Sequence, residues 1–370
     1  MIQLIYDRQL TFGPEQILSA VYRQKTDPIF CGQPEGELVV ELCTEQPLAP
    51  QREELLELYW QGQLLVSHHI TQCQRLGKRR YQLRAKPRLQ YLQTKFYGAM
   101  YRQKMLSQIL RELFPEESPV LDPMALDQEI SGYVPPGTRA QALTQLAFRL
   151  GFLQTLAPDG NILLKNPEGN EMHVLAANQV QQLQQRFLPF YTRYELASHQ
   201  YTRGTLTKKL VDEREYQPGI VTLTFSQPHS SFAVDENEGA RIREEGSNHV
   251  VVEQSGLVSL FGVPYIHETQ FHTLPGVQSQ DPRFSQVLTV RDMTLITPEV
   301  APEGVGRLRD YGQLRQKLRL AYYPRQGSLP RAGDQITLQG EMVGLITEEK
   351  ITFFQGRLQV ELTAICKEVQ

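Results

Sequence analysis

Alternation of apolar and polar positions dominates both ends of the chain. Arg80-Tyr81-Gln82-Leu83-Arg84-Ala85-Lys86 alternates without a break, which predicts a strand with Tyr81, Leu83 and Ala85 toward a core and the other four residues away from it. Glu37–Leu42 is rich in β-formers, and Leu55–Trp60, Gly62 and Leu64–Val66 read as a hairpin. Short strands at such close spacing predict a small barrel or sandwich. The last forty or so residues repeat the pattern in Gly333–Leu338, Met342–Ile346 and Leu358–Ile365.

Between these ends the period changes. Tyr101, Met105, Ile109, Leu110, Leu113 and Phe114 recur at helical spacing and stop at Pro115. Thr138 and Gln141 fit a capping box ahead of the stripe Leu143, Leu146, Ala147 and Leu150, and Gly151 supplies the left-handed residue that ends the helix. A hairpin follows, with Phe152–Leu156, the turn Pro158-Asp159-Gly160-Asn161, and Ile162–Lys165. This stretch reads as a small α+β unit. Arg193–Leu196, Ile220–Phe225, Val250–Val252 and Gln286–Leu295 then read as strands, and 235–249 as an exposed loop or hairpin tip. A late helix is expected from Pro302, with Val305, Leu308, Tyr311, Leu314, Leu318 and Tyr322 on one stripe and Pro324 as its stop.

At 370 residues the chain is long enough for two to four domains. Its 40% hydrophobic and 21% charged residues describe an ordinary globular balance, and a net charge of −3 demands neither nucleic acid nor an anionic membrane as a bulk partner. Charges in Met1–Arg8 stand where a signal peptide needs its apolar core, and no apolar run nears the roughly 20 residues of a membrane-spanning helix. A soluble cytosolic chain is the expectation. Cys31, Cys43, Cys73 and Cys366 are scattered without a C-x-x-C pair, so small buried thiols in a reducing compartment are expected.

Candidate chemistry is sparse. His267-Glu268-Thr269-Gln270-Phe271-His272 mimics a zinc motif, but its histidines are five apart, and one extra residue turns the second ring by about 100° on a helix. The preceding Gly262–Ile266 favours a strand, so ordinary strand histidines are expected. His68 and His69 are neighbours in a predicted strand and point to opposite faces. There is no G-x-S-x-G, no P-loop and no G-x-G-x-x-G. Acidic residues at Glu35, Glu37, Glu41, Glu45, Glu53, Glu54 and Glu57 face two basic sets, one at Arg75–Arg88 and one at Arg307–Arg331. These are solvated faces of opposite sign or complementary surfaces between neighbouring subunits.

The order of the pieces resembles the hub proteins of phage tail baseplates, the late-control or tail-protein family of contractile phages, defective prophages and phage-tail-like bacteriocins. The resemblance is carried by Leu58–Gln63, Arg80–Ala85, Met105–Leu110, Val134–Leu143 running to Gly151, the Asp159-Gly160 hairpin, Ser226-Gln227-Pro228, Leu260–Tyr265 and Gly333–Ile336, and so spans nearly the whole chain. It implies a mainly β, α+β fold: a first barrel-like domain at 1–95, an α+β domain at 96–189, a second barrel-like domain from 190–215 with 300–370, and a β-rich insertion at 216–299. It implies a structural virion component with no catalytic, cofactor-binding or metal-binding residues and no cofactor. The chain would form a homotrimer in the baseplate of a tail or tail-like particle, assembled in the bacterial cytoplasm. There it would contact tail tube proteins, a central spike carried on a separate chain, and baseplate wedge proteins, with neither membrane insertion nor specific nucleic-acid binding. A tail-associated peptidoglycan hydrolase or endopeptidase is the alternative, and a carbohydrate-binding baseplate module is a third reading. The latter needs an exposed aromatic platform, whereas Trp60, the sole tryptophan, lies in an expected core strand.

Overall fold

The computed structural model describes residues 1–115, 119–121, 128–167, 172–235, 239–278, 286–325, 327–338 and 342–367. The fold is mainly β. Seven strands open the chain: β1 (Ile2–Tyr6), β2 (Leu10–Phe12), β3 (Ile17–Lys25), β4 (Glu35–Cys43), β5 (Leu55–Trp60), β6 (Gln63–Arg75) and β7 (Arg80–Lys86). They pair in the order β3-β4-β7-β6-β5-β1-β2. Tyr81, Leu83 and Ala85 are buried as their alternation predicts, and Trp60 packs in the same core.

The α+β unit follows, with β8 (Lys95–Phe96), β9 (Ala99–Met105), α1 (Leu106–Leu113), β10 (Val120–Leu121), β11 (Glu129–Val134), β12 (Gly137–Thr138), α2 (Arg139–Leu150), β13 (Leu153–Leu156) and β14 (Ile162–Lys165). The capping box is formed: the Gln141 amide donates to Thr138 Oγ1 at 3.3 Å, and the Thr138 amide donates to Gln141 Oε1 at 2.9 Å. Gly151 ends α2 at φ 74°, where a side chain would also collide with Arg307. Arg307 caps the same helix end, donating from Nη2 to the Phe148 and Arg149 carbonyls at 3.0 and 3.1 Å. The first expected helix is shorter than its stripe. Tyr101–Met105 belongs to β9, which pairs with β11, and only Leu106–Leu113 is helical.

Two strands then leave this unit, β15 (Met172–Leu175) and β16 (Val180–Phe187). The β-rich part contains β17 (Arg193–Arg203), β18 (Lys208–Glu215), β19 (Gly219–Thr224), β20 (His229–Val234), β21 (Arg241–Glu245), β22 (His249–Gln254), β23 (Leu257–Pro275) and β24 (Val287–Val290). The 19-residue β23 joins it together, pairing with β18 and β20 through its first half and with β17 through its second. The loop expected at 235–249 contains β21, and residues 236–238 of it lie outside the described residues.

The chain closes with α3 (Ala301–Gly312), β25 (Gln316–Tyr322), β26 (Gln335–Leu338), β27 (Met342–Phe354) and β28 (Arg357–Cys366). Here two expectations are corrected. The late helix stops at Gly312, and Gln316–Tyr322 is a strand between β16 and β28. Leu318 and Tyr322 fit a helical stripe, but with Leu320 they also bury at a spacing of two, and pairing on both sides selects that period. Secondly, the strands at 190–215 do not pair with the strands of the C-terminal segment; β17 and β18 pair with β23, and β17 meets that segment by packing on α3. Their expected place is taken by β15, parallel to β26, and β16, antiparallel to β25.

The N-terminal and C-terminal strands form one 13-stranded sheet, whose main path runs β16-β25-β28-β27-β3-β4-β7-β6-β5-β1-β2. The joint is β27 against β3, seven residue pairs from Glu348–Lys25 to Phe354–Ser19. One apolar cluster spans it, from Leu38 and Val66 on one side to Leu320 and Val360 on the other. Inside the joint lies a buried ion pair. Arg331 Nη1 meets Glu349 Oε1 at 2.9 Å, Arg331 Nη2 donates to the Leu65 carbonyl at 2.6 Å, and the Ala332 amide donates to Glu349 Oε2 at 3.1 Å. The guanidinium also lies 5.8 Å from the Tyr22 ring centre on β3. Burial pushes the Glu349 carboxyl above its ordinary range, while Arg331 and the Ala332 amide pull it back. Glu349→Leu alone is expected to cost about 3–5 kcal/mol, because it strands Arg331 in the interior, whereas Arg331→Met with Glu349→Leu regains most of that loss. Urea unfolding of the three proteins followed by circular dichroism checks this; a double variant no more stable than the single one would refute it.

Candidate functional site

The residues singled out for chemistry all have structural partners. His68 and His69 face opposite sides of β6: His68 is fully buried with Nδ1 2.7 Å from the Ser67 carbonyl, and His69 Nδ1 lies 2.8 Å from the Glu53 carbonyl. His267 and His272 lie on β23 and so also point apart, His272 Nε2 toward Ser198 Oγ at 3.0 Å and His267 Nε2 toward His199 Nδ1 at 3.0 Å. Sequence inspection missed His199, which lies on β17, 68 residues before its partner. Tyr201 stacks on His267 with ring centres 4.4 Å apart, and Tyr133 lies 4.8 Å beyond. Burial lowers the His199 pKa, and His267 adds to that push. Among the described residues no three His, Cys, Asp or Glu side chains gather to hold a metal ion.

A cleft of about 600 Å³ lies between β9 with α1 and the β20–β22 region. Within it Lys104 pairs with Glu112 at 2.5 Å, and His249 Nε2 lies 3.3 Å from Glu244 Oε1. Of the cysteines, Cys31 and Cys366 are buried as expected, while Cys43 and Cys73 are exposed.

The acidic and basic sets of the first β unit partly neutralise one another within the chain, because β4 and β7 are neighbours: Glu41 meets Arg80 at 2.5 Å and Glu37 meets Arg84 at 3.7 Å. Part of the second basic set is spent similarly, with Arg319 on Glu361 at 3.1 Å, Arg307 on Glu303 at 2.7 Å and Arg331 buried on Glu349. Two features project beyond this pairing. The β6–β7 hairpin is exposed from Thr71 through Arg80, and Arg75 braces its tip by donating to the Gly77 and Lys78 carbonyls at 3.0 and 3.1 Å. Lys78 and Arg79 stand at that tip, in a stretch from Glu57 to Glu112 that contains no acidic residue between its ends. The other feature is β16, an end strand of the sheet that is exposed over almost its whole length.

No protein-family profile matches the sequence, and no curated protein matches it either. Solved structures do. The 43 kDa tail protein of prophage MuSo2 from Shewanella oneidensis aligns over 98% of this chain and 98% of its own, with a TM-score of 0.56 at 10% identity. A tail protein from Neisseria meningitidis aligns over 99% of this chain and 96% of its own, with a TM-score of 0.57 at 11% identity. This chain has the fold of prophage tail proteins. A prophage tail protein from Listeria monocytogenes shares it over 98% of this chain and 94% of its own, with a TM-score of 0.50 at 11% identity. The tail-protein fold here includes the docking of the α+β unit onto the first β unit. The Ser67 amide donates to the Pro158 carbonyl at 2.7 Å, and Gly160, at φ 85°, lies so close to Ser67 and His68 that a side chain there would collide.

That docking gives the tail-protein fold a pH dependence. Burial pushes His68 down to about 4, the Ser67 carbonyl opposing. The unfolded chain takes up a proton near pH 6.5, which the folded chain refuses until about 4. The contribution of neutral His68 is therefore complete above about pH 6.5 and is lost as pH falls through that window, about 3 kcal/mol at most. Melting His68→Phe and the parent protein at pH 7 and pH 5 is expected to show a smaller drop for the variant; equal drops would contradict the assignment.

Proposed function

We propose that this chain is a structural subunit of the baseplate hub of a phage tail or tail-like particle, three copies forming a ring that joins the tail tube to the central spike. The observation that carries the reading is the joint of β27 with β3, which fuses two β units of one chain into a single continuous sheet. A subunit built this way offers extended β surfaces and edges to its neighbours, which suits geometric matching in a ring. Three chains with two β units each would present six units, the number needed to meet a six-fold tube above a three-fold spike. End-to-end likeness in fold to tail proteins from three bacteria supports a structural role in a tail. The exposed Lys78 and Arg79 tip suits contact with acidic surfaces of tube or wedge subunits.

Heterologous contacts that close after three copies of a 42.4 kDa chain give a particle of about 127 kDa. Native mass spectrometry of the protein, alone and with its tube and spike proteins, is expected to find that species. Electron microscopy of particles carrying a tagged copy is expected to find the tag at the tube–spike junction. A chain that stays monomeric in that mixture and is absent from particles would sink the proposal, and so would lysis of cell walls in a zymogram that disappears with one His or Glu substitution.

A further inference from the structure

We propose that β16 is the edge on which a second copy of this chain docks by strand addition, the occupant being the β2 end of the neighbouring copy's sheet. The proposal deepens the ring reading and rests on it.

β16 is eight residues long and hydrogen-bonded on one side only, to β25. Leu183 and Phe187 are 52% and 60% exposed, two large apolar side chains on one strand that the chain itself leaves uncovered. The register tells which backbone groups are free. The Leu188 amide donates to the Arg315 carbonyl, and this pair continues the Phe187–Gln316 register. In an antiparallel ladder bonded pairs alternate, so Gln182, Gln184 and Arg186 spend their amides and carbonyls on β25. Leu183, Gln185 and Phe187 aim theirs outward. A row of outward amides and carbonyls flanked by two large apolar side chains is a template for another strand. Natural edges are blunted by proline, bulges or charges, and of these β16 has only Arg186 and one irregularity near Val180.

The occupant follows from the topology. A ring of identical chains needs two different surfaces on each chain, and the main path of the sheet has two end strands, β16 and β2. At the β2 end Leu10 is 45% exposed, and Asp7, Arg8 and Glu15 flank the strand with a net charge of −1, opposite in sign to Arg186. Within the chain the two β units already meet by antiparallel edge pairing at β27–β3. Contact of β16 with β2 would repeat that device between chains and carry the sheet around the ring.

The test is Gln185→Pro. Its lost amide is outside the chain's own ladder, so folding is retained, whereas strand addition loses a donor and meets a bulky ring. Gln185→Ala, which keeps the amide, is the control. Melting curves report folding, and sedimentation over a concentration series reports assembly. The proposal expects trimers of wild type and Gln185→Ala, and monomers of Gln185→Pro at concentrations at least about tenfold above the wild-type midpoint. If the proline lowers the melting midpoint, Phe187→Lys takes its place with the same expectation. Unchanged trimers of a folded edge variant would overturn the β16 assignment and leave the ring intact. A two-chain species would overturn it too, since that indicates β16 pairing with its own copy. Monomeric wild type, even with tube and spike proteins, would overturn the ring reading itself.

Discussion

The structure depends on one joint. Seven residue pairs between β3 and β27 bring together segments separated by more than three hundred residues, and the core on either side is one cluster because of it. Strand pairing over such a separation costs chain entropy that hydrogen bonds alone barely offset. Specificity comes from the buried Arg331–Glu349 pair, which touches both halves. Its carboxylate sits on β27, its guanidinium reaches the β6 carbonyl of Leu65, and the Tyr22 ring of β3 lies beneath. A shift of β27 by one residue would turn Glu349 to solvent and leave Arg331 buried without its counter-charge, so the pair disfavours wrong registers more than it adds stability.

The other parts are arranged around that joint by buried polar contacts. Asp334 draws Lys165 from the α+β unit and His173 from β15 to the β25–β26 connection, with His173 Nε2 at 3.2 Å. Burial pushes this carboxyl up, but the hydrogen bonds from His173 and Lys165, with the Lys165 charge, outweigh it and hold the group below its ordinary value. The core of the α+β unit continues through Tyr194 and Leu196 of β17 into α3. Gly304 of α3 leaves room there for Leu196, whose side chain would lie 2.7 Å from a Cβ at that position. Lys165, His173 and Asp334 thus tie separate parts of the chain together, while the β6–β7 hairpin tip and the β16 edge stay exposed.

Much of the local structure was legible in the sequence. The capping box at Thr138 and Gln141, the left-handed Gly151 and the Asp159-Gly160 turn are encoded within a few residues, and each formed as read. The alternation at Arg80–Lys86 named its buried face correctly, and Gly262–Ile266 pointed to the strand that carries His267 and His272. The errors share a cause. Leu314, Leu318 and Tyr322 satisfy a helical stripe, but flanking strands β16 and β28 made Gln316–Tyr322 a strand. Likewise β15 and β16 carry weak apolar patterns, and β16 is polar enough to look like a connection, because only one side of it touches the protein.

The sequence by itself determined the elements whose physics is local: caps, turns, alternating faces, the mainly β character and the absence of short catalytic motifs. Tertiary structure alone decided which strands became neighbours, because hydrogen-bonding edges are chemically alike along the chain and only the packing of distant side chains distinguishes them. It likewise decided that Arg331 belongs with Glu349, that acidic β4 neutralises basic β7, and that β16 is left with an open edge.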